Sequence, residues 1–308
     1  MTTDKIDRAL TNFAAEVRDV GPVAVVGSRT RWSVGGALSE GTRLLRAPSG
    51  VLQHQPEEMT VRVRAGTTVA ELDAVIGAAG QRTALPERRG TVGGAIAVGE
   101  NDLRVLGRGE VRHSVLQLRY VSSEGAIVTG GAPTVKNVSG FDLPKLIVGS
   151  LGTLGLIAEV ILRTNPIPAT SEWFVSTDAD PFAVRAAMYH PSAVLWDGIR
   201  TWLELEGHSA DVEAEEVAVR KLGGWDRVEG PPPLPPNRWS LRPSDLRQLD
   251  ISITGEFVAS IGVGVVFATN SQLSRPLAPA LRQVGERVKA EFDPTGRLNP
   301  GRDPMKVI

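Results

Sequence analysis

The chain has 308 residues, 42% of them hydrophobic, with 34 basic against 35 acidic side chains and no cysteine. The missing sulfur excludes disulfides, thiolate zinc sites, iron–sulfur ligation and a cysteine nucleophile, and the balanced charge gives no summed field to attract nucleic acid. The opening MTTDKIDRAL carries acids where a signal peptide has a basic region, and the longest apolar stretch, Phe257 to Ala268, is too short to cross a bilayer, so a cytoplasmic protein without direct membrane insertion is expected.

In chain order the pattern is mixed. Ile6, Leu10, Phe13 and Val17 recur at steps of three and four, which predicts an amphipathic helix over 4–19, closed by Gly21-Pro22. Val23 to Val26 reads as a buried strand ending at Gly27. Val61 and Val63 alternate with Arg62 and Arg64, which predicts a half-buried strand from Met59 to Ala65. Thr68 and Glu71 have capping-box spacing, Leu72, Val75 and Ile76 give the next helix its apolar face, and Gly80 is placed at C′. Strands follow at Leu116 to Tyr120 and at Ala126 to Thr129. The apolar run Gly155 to Thr164 predicts a strand buried on both faces, stopped by Asn165-Pro166. Composition then shifts toward tryptophan, with an acidic helix near Asp211 to Arg220 and a proline tract from Pro231 to Pro236. A helix from Ser274 to Phe292 leads into a tail rich in proline and glycine. The expected domains are 1–165, a small cap-like 166–273, and 274–308 returning to the first.

The standard nucleotide and hydrolase signatures are absent: there is no Gly-Lys-Ser/Thr, no complete G-x-G-x-x-G and no G-x-S-x-G. His54, His113, His190 and His208 are too far apart in sequence for a local metal motif, so no metal site is expected. Arg200, Lys221 and His190 have chemistry suited to a carboxylate or a proton, but nothing in the pattern singles out a catalytic residue.

Glycine is concentrated. Thirteen of the 66 residues from Gly90 to Gly155 are glycine, well above the ordinary usage of about 7%. Three segments read as surfaces for close backbone approach: Gly27-Ser28-Arg29-Thr30 at a strand exit, Gly90 to Ala95, and Gly149 to Gly155 with a glycine every third residue. The last period matches neither a helix face nor a strand face, and amides and hydroxyls laid along a diphosphate account for it.

These segments, taken in order with Met59 to Gly80, Lys136-Asn137-Val138-Ser139-Gly140-Phe141-Asp142-Leu143-Pro144-Lys145-Leu146 and the tail Phe292 to Gly301, resemble the PCMH-type FAD-binding domain of the vanillyl-alcohol oxidase family. Within that family the resemblance is to the E subunits of bacterial glycolate oxidases. It implies an α+β fold in which two subdomains clasp an extended FAD, with a small second domain beyond them. By position it implies that Gly27, Ser28, Arg29 and Thr30 form the first phosphate loop. Thr91, Val92, Gly93, Gly94 and Ala97 would line the diphosphate and flavin. Ser150, Leu151, Gly152, Thr153, Gly155 and Ile157 would follow the rest of the dinucleotide, with Asn299 near the flavin.

No histidine lies near the first loop, so the FAD implied is noncovalent. The activity implied is oxidation of a small 2-hydroxy acid such as glycolate, within a complex that includes a second flavoprotein subunit and an iron–sulfur subunit, with membrane association only through partners. Val25-Val26 stand where the family has further glycines, Glu100 and Asp102 where it has small neutral residues, and 166–275 is short for a catalytic cap. Those departures favour the alternative of a noncatalytic accessory subunit that keeps the flavin fold and docks on a catalytic flavoprotein.

Overall fold

The computed structural model describes residues 6–87, 89–133, 142–273 and 277–306. In chain order its main elements are α1 (Arg8–Arg18), β1 (Val23–Val25), β2 (Arg43–Leu45), β3 (Val51–Gln55), β4 (Thr60–Arg64), α2 (Val69–Gly77), β5 (Gln81–Arg82), α3 (Val92–Val98), α4 (Val105–Arg108), α5 (Val111–Ser114), β6 (Val115–Val121), β7 (Ile127–Gly131), α6 (Leu143–Ile147), β8 (Leu156–Arg163) and β9 (Asn165–Pro166). They continue as β10 (Thr170–Ser176), α7 (Pro181–Ala187), β11 (Pro191–Trp196), β12 (Thr201–Gly207), α8 (Ser209–Val219), β13 (Asp226–Val228), β14 (Asn237–Ser240), α9 (Ile251–Thr254), β15 (Phe257–Ser260), β16 (Val265–Ala268) and α10 (Pro279–Phe292). The class is α+β. Two units share the chain: Met1–Asp102, Glu110–Pro166 and Pro276–Ile308 make the first, Leu103–Gly109 and Ile167–Arg275 the second.

In the first unit an antiparallel five-stranded sheet runs β3-β4-β8-β6-β7. The valines of β4 and Leu118, Val160 and Leu162 pack against Leu72 and Ile76 of α2 and Val92, Ala95 and Ile96 of α3. α2 starts as its spacing predicts: Thr68 Oγ1 accepts from the Glu71 amide at 3.1 Å and Glu71 Oε2 accepts from the Thr68 amide at 2.9 Å. Its C-cap is Ala78, so Gly80, at φ +68°, stands one position beyond C′. α1 begins later than its apolar spacing suggests, because Asp7 Oδ1 accepts from the amides of Ala9 and Leu10 and fixes the N-cap there. Leu10, Phe13 and Val17 then pack with Val23, Leu45, Val121, Leu156 and Leu298.

The opposite face of the sheet is ionic where alternation predicted solvent. Glu159 lies across from Arg64 on β4 and Arg119 on β6. Its Oε1 accepts from Arg62 Nε at 2.6 Å and Arg119 Nη1 at 3.1 Å, and its Oε2 pairs with Arg64 Nε at 3.4 Å. Arg64 also reaches Asp7, so helix cap and sheet are joined by charge. β1 and β2 form a separate parallel pair, and Leu298 of the tail bridges to Val23 alongside them.

The second unit is a seven-stranded antiparallel sheet in the order β13-β10-β12-β11-β15-β16-β14. One core joins Phe174, Leu203 and Leu205 with residues such as Val184 of α7 and Val212 of α8. α4 belongs to this unit, which moves Leu103–Gly109 out of the first sequence division. Packing gives the reason. Arg104 Nε donates to Glu204 Oε1 at 2.7 Å, and a Cβ on Gly107 would lie 2.5 Å from Ser192 Oγ. Among the described residues no helix is long and apolar enough to cross a membrane.

Candidate functional site

In the first unit, three pieces of backbone meet at a cleft: the turn leaving β1, the start of α3 and the loop before β8. Two adjoining lobes share Val25, Gly27, Thr91, Gly94, Ala97, Leu151 and Asn299 in their walls.

Of the residues singled out in the sequence, Gly27, Ser28, Arg29, Thr30, Thr91, Gly93, Gly94, Ala97, Leu151, Gly152, Ile157 and Asn299 line these lobes. Val92 is fully buried in the sheet-facing core, and Ser150 and Thr153 are buried behind the loop. Gly155 serves packing, since a Cβ there would lie 2.2 Å from the Tyr120 ring. Arg200 pairs with Asp197 and lies over Trp202 in the second unit. In the Lys136–Leu146 motif, residues 136–141 fall outside the described residues.

The glycines acquire individual causes. Thr91 caps α3 by accepting from the Gly94 amide at 3.2 Å, and a Cβ on Gly27 would sit 2.5 Å from the same hydroxyl. Gly93 donates to Ala65 O at 2.8 Å and Val92 to Thr67 O at 2.9 Å, so the first amides of α3 are spent on neighbouring backbone. The period-three loop is likewise engaged: Gly149 donates to Ile96 O at 3.0 Å and Leu151 to Ala97 O at 2.8 Å, satisfying the carbonyl end of α3. Leu151 and Gly152 take positive φ, 53° and 71°, to turn the chain there. Gly152 O then accepts from Asn299 Nδ2 at 2.9 Å.

The turn after β1 is different. Among the described residues, the amides of Gly27, Ser28 and Arg29 make no hydrogen bond. Beside them stands a side chain the sequence reading passed over. Arg31, 5% exposed, donates from Nε to Glu100 and from Nη1 to Thr30 Oγ1 and Arg89 O, each at 3.2 Å. Its Nη2 is buried without a hydrogen-bond partner. Glu100 is thus an ion-pair partner at the cleft edge, and Asp102 accepts from the Glu87 amide at 3.3 Å. Two guanidiniums lie over the Trp32 ring, Arg29 at 5.4 Å and Arg302 at 5.0 Å from its centroid. Arg302 also donates to Val34 O at 2.8 Å, and burial lowers its pKa from the ordinary arginine value. Arg31 and Trp32 follow directly on the recognised turn, so their position was the available signal. Arg302, three residues past Asn299, had none.

The groups present suit a dinucleotide. Free amides and an orphaned guanidinium nitrogen call for an anion, and Gly94, where an added Cβ would meet only Thr91 Oγ1, offers bare backbone to a flat ring system. Among the described residues no cluster of three His, Asp or Glu side chains is arranged to hold a metal ion.

Comparison with known proteins agrees with this geometry. Residues 9–131 match the family of FAD binding domains. The chain is 26% identical to the Escherichia coli glycolate oxidase subunit GlcE over 93% of both chains. It is 33% identical to the Bacillus subtilis glycolate oxidase subunit GlcD, over 55% of this chain but 37% of GlcD. A D-lactate dehydrogenase of Archaeoglobus fulgidus is 35% identical over 47% of this chain and 33% of its own. Among solved structures, alkyldihydroxyacetonephosphate synthase superposes with a TM-score of 0.67 over 94% of this chain and 73% of that one, at 14% identity, which is a likeness of fold.

Proposed function

The chain carries an FAD-binding domain of the PCMH type and is related to glycolate oxidase subunits, and on that premise we propose that it takes part in oxidising glycolate or a related 2-hydroxy acid. FAD is its cofactor. The observation that carries the reading is the set of unspent donors, the amides of Gly27 to Arg29, on the wall of a cleft that Arg31, whose Nη2 is buried without a hydrogen-bond partner, also lines. The chemistry FAD supplies when bound is acceptance of a hydride from a hydroxyl-bearing carbon. The protein's part is to hold the diphosphate at the β1 turn, to orient the ring against Gly94 and Ala97, and to exclude water with Val25, Leu151 and Ile157. Among the described residues no histidine lines the cleft, and we assign noncovalent attachment.

A second reading has its own support. Among the described residues that line the cleft, none carries a carboxylate, imidazole or phenol to accept the substrate's hydroxyl proton. An accessory subunit that holds FAD and works only beside a catalytic flavoprotein and an iron–sulfur subunit needs none. The lack of cysteine suits either reading, because this chain holds no thiolate-ligated iron–sulfur centre of its own.

The visible spectrum of the purified protein tests both. A yellow protein whose flavin is released by denaturant and bleached by glycolate supports the redox subunit. Bleaching only when partner subunits are added supports the accessory role. A colourless protein that takes up no FAD ends the cofactor reading.

A further inference from the structure

Arg31 carries an unresolved charge problem. Its guanidinium is held on two edges, by Glu100 at Nε and by Thr30 and the Arg89 carbonyl at Nη1, while Nη2 is buried with nothing to receive its hydrogen bonds. A buried donor left unpaired is costly until a water, an ion or a ligand completes it, and among the described residues with such an atom only Arg31 lines the cleft. The neighbouring backbone makes room for this placement: a Cβ on Gly90 would lie 2.5 Å from Arg31 Nη1 and 2.7 Å from Thr30 Oγ1. The other donors of the cleft are unequal. The first amides of α3 and those of Gly149 and Leu151 are already bonded, whereas those of the β1 turn are not. These are neutral, and the turn has Val25 and Val26 rather than more bare backbone leading into it.

We infer that Arg31 is the charged anchor for the diphosphate of the dinucleotide, with Nη2 donating to a phosphate oxygen while Glu100, Thr30 and the Arg89 carbonyl fix the guanidinium plane. This rests on the cofactor reading of the cleft and adds a recognition element to it. A planar guanidinium keeps one edge for a carboxylate and another for an anion, which a lysine ammonium does not reproduce. Among the described residues the charged side chains lining this lobe are Arg29, Arg31 and Arg302, with Glu100 paired to Arg31, an excess of positive charge that favours an anion.

The experiment is titration of the wild-type apoprotein and of Arg31→Met and Arg31→Lys with FAD, ADP and riboflavin, followed by calorimetry. FAD and ADP carry the diphosphate and riboflavin does not. Both variants are expected to lose affinity for FAD and ADP by about tenfold to a hundredfold, the range of a hydrogen bond to a charged group, with riboflavin binding unaltered. Arg31→Lys keeps a cation opposite Glu100, so it gives the reading if Arg31→Met fails to fold. Wild-type protein that binds FAD and ADP alongside variants that bind both equally well overturns the role of Arg31 alone. Wild-type protein that binds neither overturns the cofactor reading and this inference together. Equal losses for riboflavin and ADP assign Arg31 to the shape of the cleft and also overturn it.

Discussion

Asn299 closes the cleft from the tail: its Nδ2 donates to Gly152 O at 2.9 Å while its own amide donates to Val23 O at 2.8 Å. One residue thereby joins the β1 strand to the loop before β8. It does so at φ 45°, a left-handed conformation that asparagine tolerates better than most side chains. Replacing it by leucine removes the donor, leaves the Gly152 carbonyl without it and adds backbone strain. Asn299→Leu is expected to destabilise the first unit by about 1–3 kcal/mol and to lower flavin content in the same preparation. Thermal melting with flavin absorbance measures both, and an unchanged melting temperature would contradict the role.

Gly93 and Gly94 are adjacent and separable. A Cβ on Gly93 would fall 2.8 Å from the Ala65 side chain, whereas on Gly94 its nearest neighbour is Thr91 Oγ1 at 3.1 Å, with the cleft beyond. Gly93→Val is expected to overpack the join between α3 and β4, at about 1–3 kcal/mol of stability. Gly94→Val is expected to leave a soluble, folded chain that retains little FAD. Full flavin occupancy in Gly94→Val would move the ring binding elsewhere in the cleft.

The sequence disclosed what local chemistry decides. The Thr68/Glu71 cap is two side chains three residues apart, and the apolar run of β8 needs no partner to be read. The period-three glycines were legible as special, but their spacing, read as a surface along a diphosphate, has packing causes in the structure. They are spaced by three different neighbours, the end of α3 at Gly149, Asn299 at Gly152 and Tyr120 at Gly155, and those partners lie far off in the chain or across a fold not yet known. The arginines of β4 failed for the same reason. Alternation says that Arg62 and Arg64 share the face opposite Val61 and Val63, but only the register with Glu159 shows that this face is covered. Arg31 was hidden because nothing local distinguishes a paired arginine from a solvated one.

That register makes Glu159 the most consequential buried charge of the first unit. It is 4% exposed at the side chain and pairs with Arg62, Arg64 and Arg119. Removing one partner of a buried pair strands the other, typically at about 3–5 kcal/mol. Glu159→Leu is expected to lose at least that much and to express as insoluble protein, while Arg62→Gln, whose side chain is 20% exposed, costs far less. Soluble, fully folded Glu159→Leu would show that the three guanidiniums find other partners.

In the second unit Glu204 sets a limb of the stability profile above pH 4.5. It is fully buried, one of its oxygens lacks a hydrogen-bond partner, and burial raises its pKa above the ordinary 4.5 against the opposing pull of Arg104. A carboxyl raised in the folded state favours folding fully below its unfolded pKa, and that contribution is lost as pH rises through the folded value. Asp7 acts in the opposite sense. The Leu10 amide, followed by Arg64, lowers its pKa below 3.8, so its contribution is present above that value and lost as pH falls through the lower folded one. Melting temperature against pH should therefore decline on both sides. Glu204→Gln, which keeps an acceptor for Arg104 without the titrating charge, should flatten the decline above pH 4.5 and leave the acid limb intact, whereas Asp7→Asn should flatten the acid limb alone. Identical profiles for wild type and Glu204→Gln would mean that Glu204 is ionised in the folded protein at no cost, and that Arg104 fully compensates its burial.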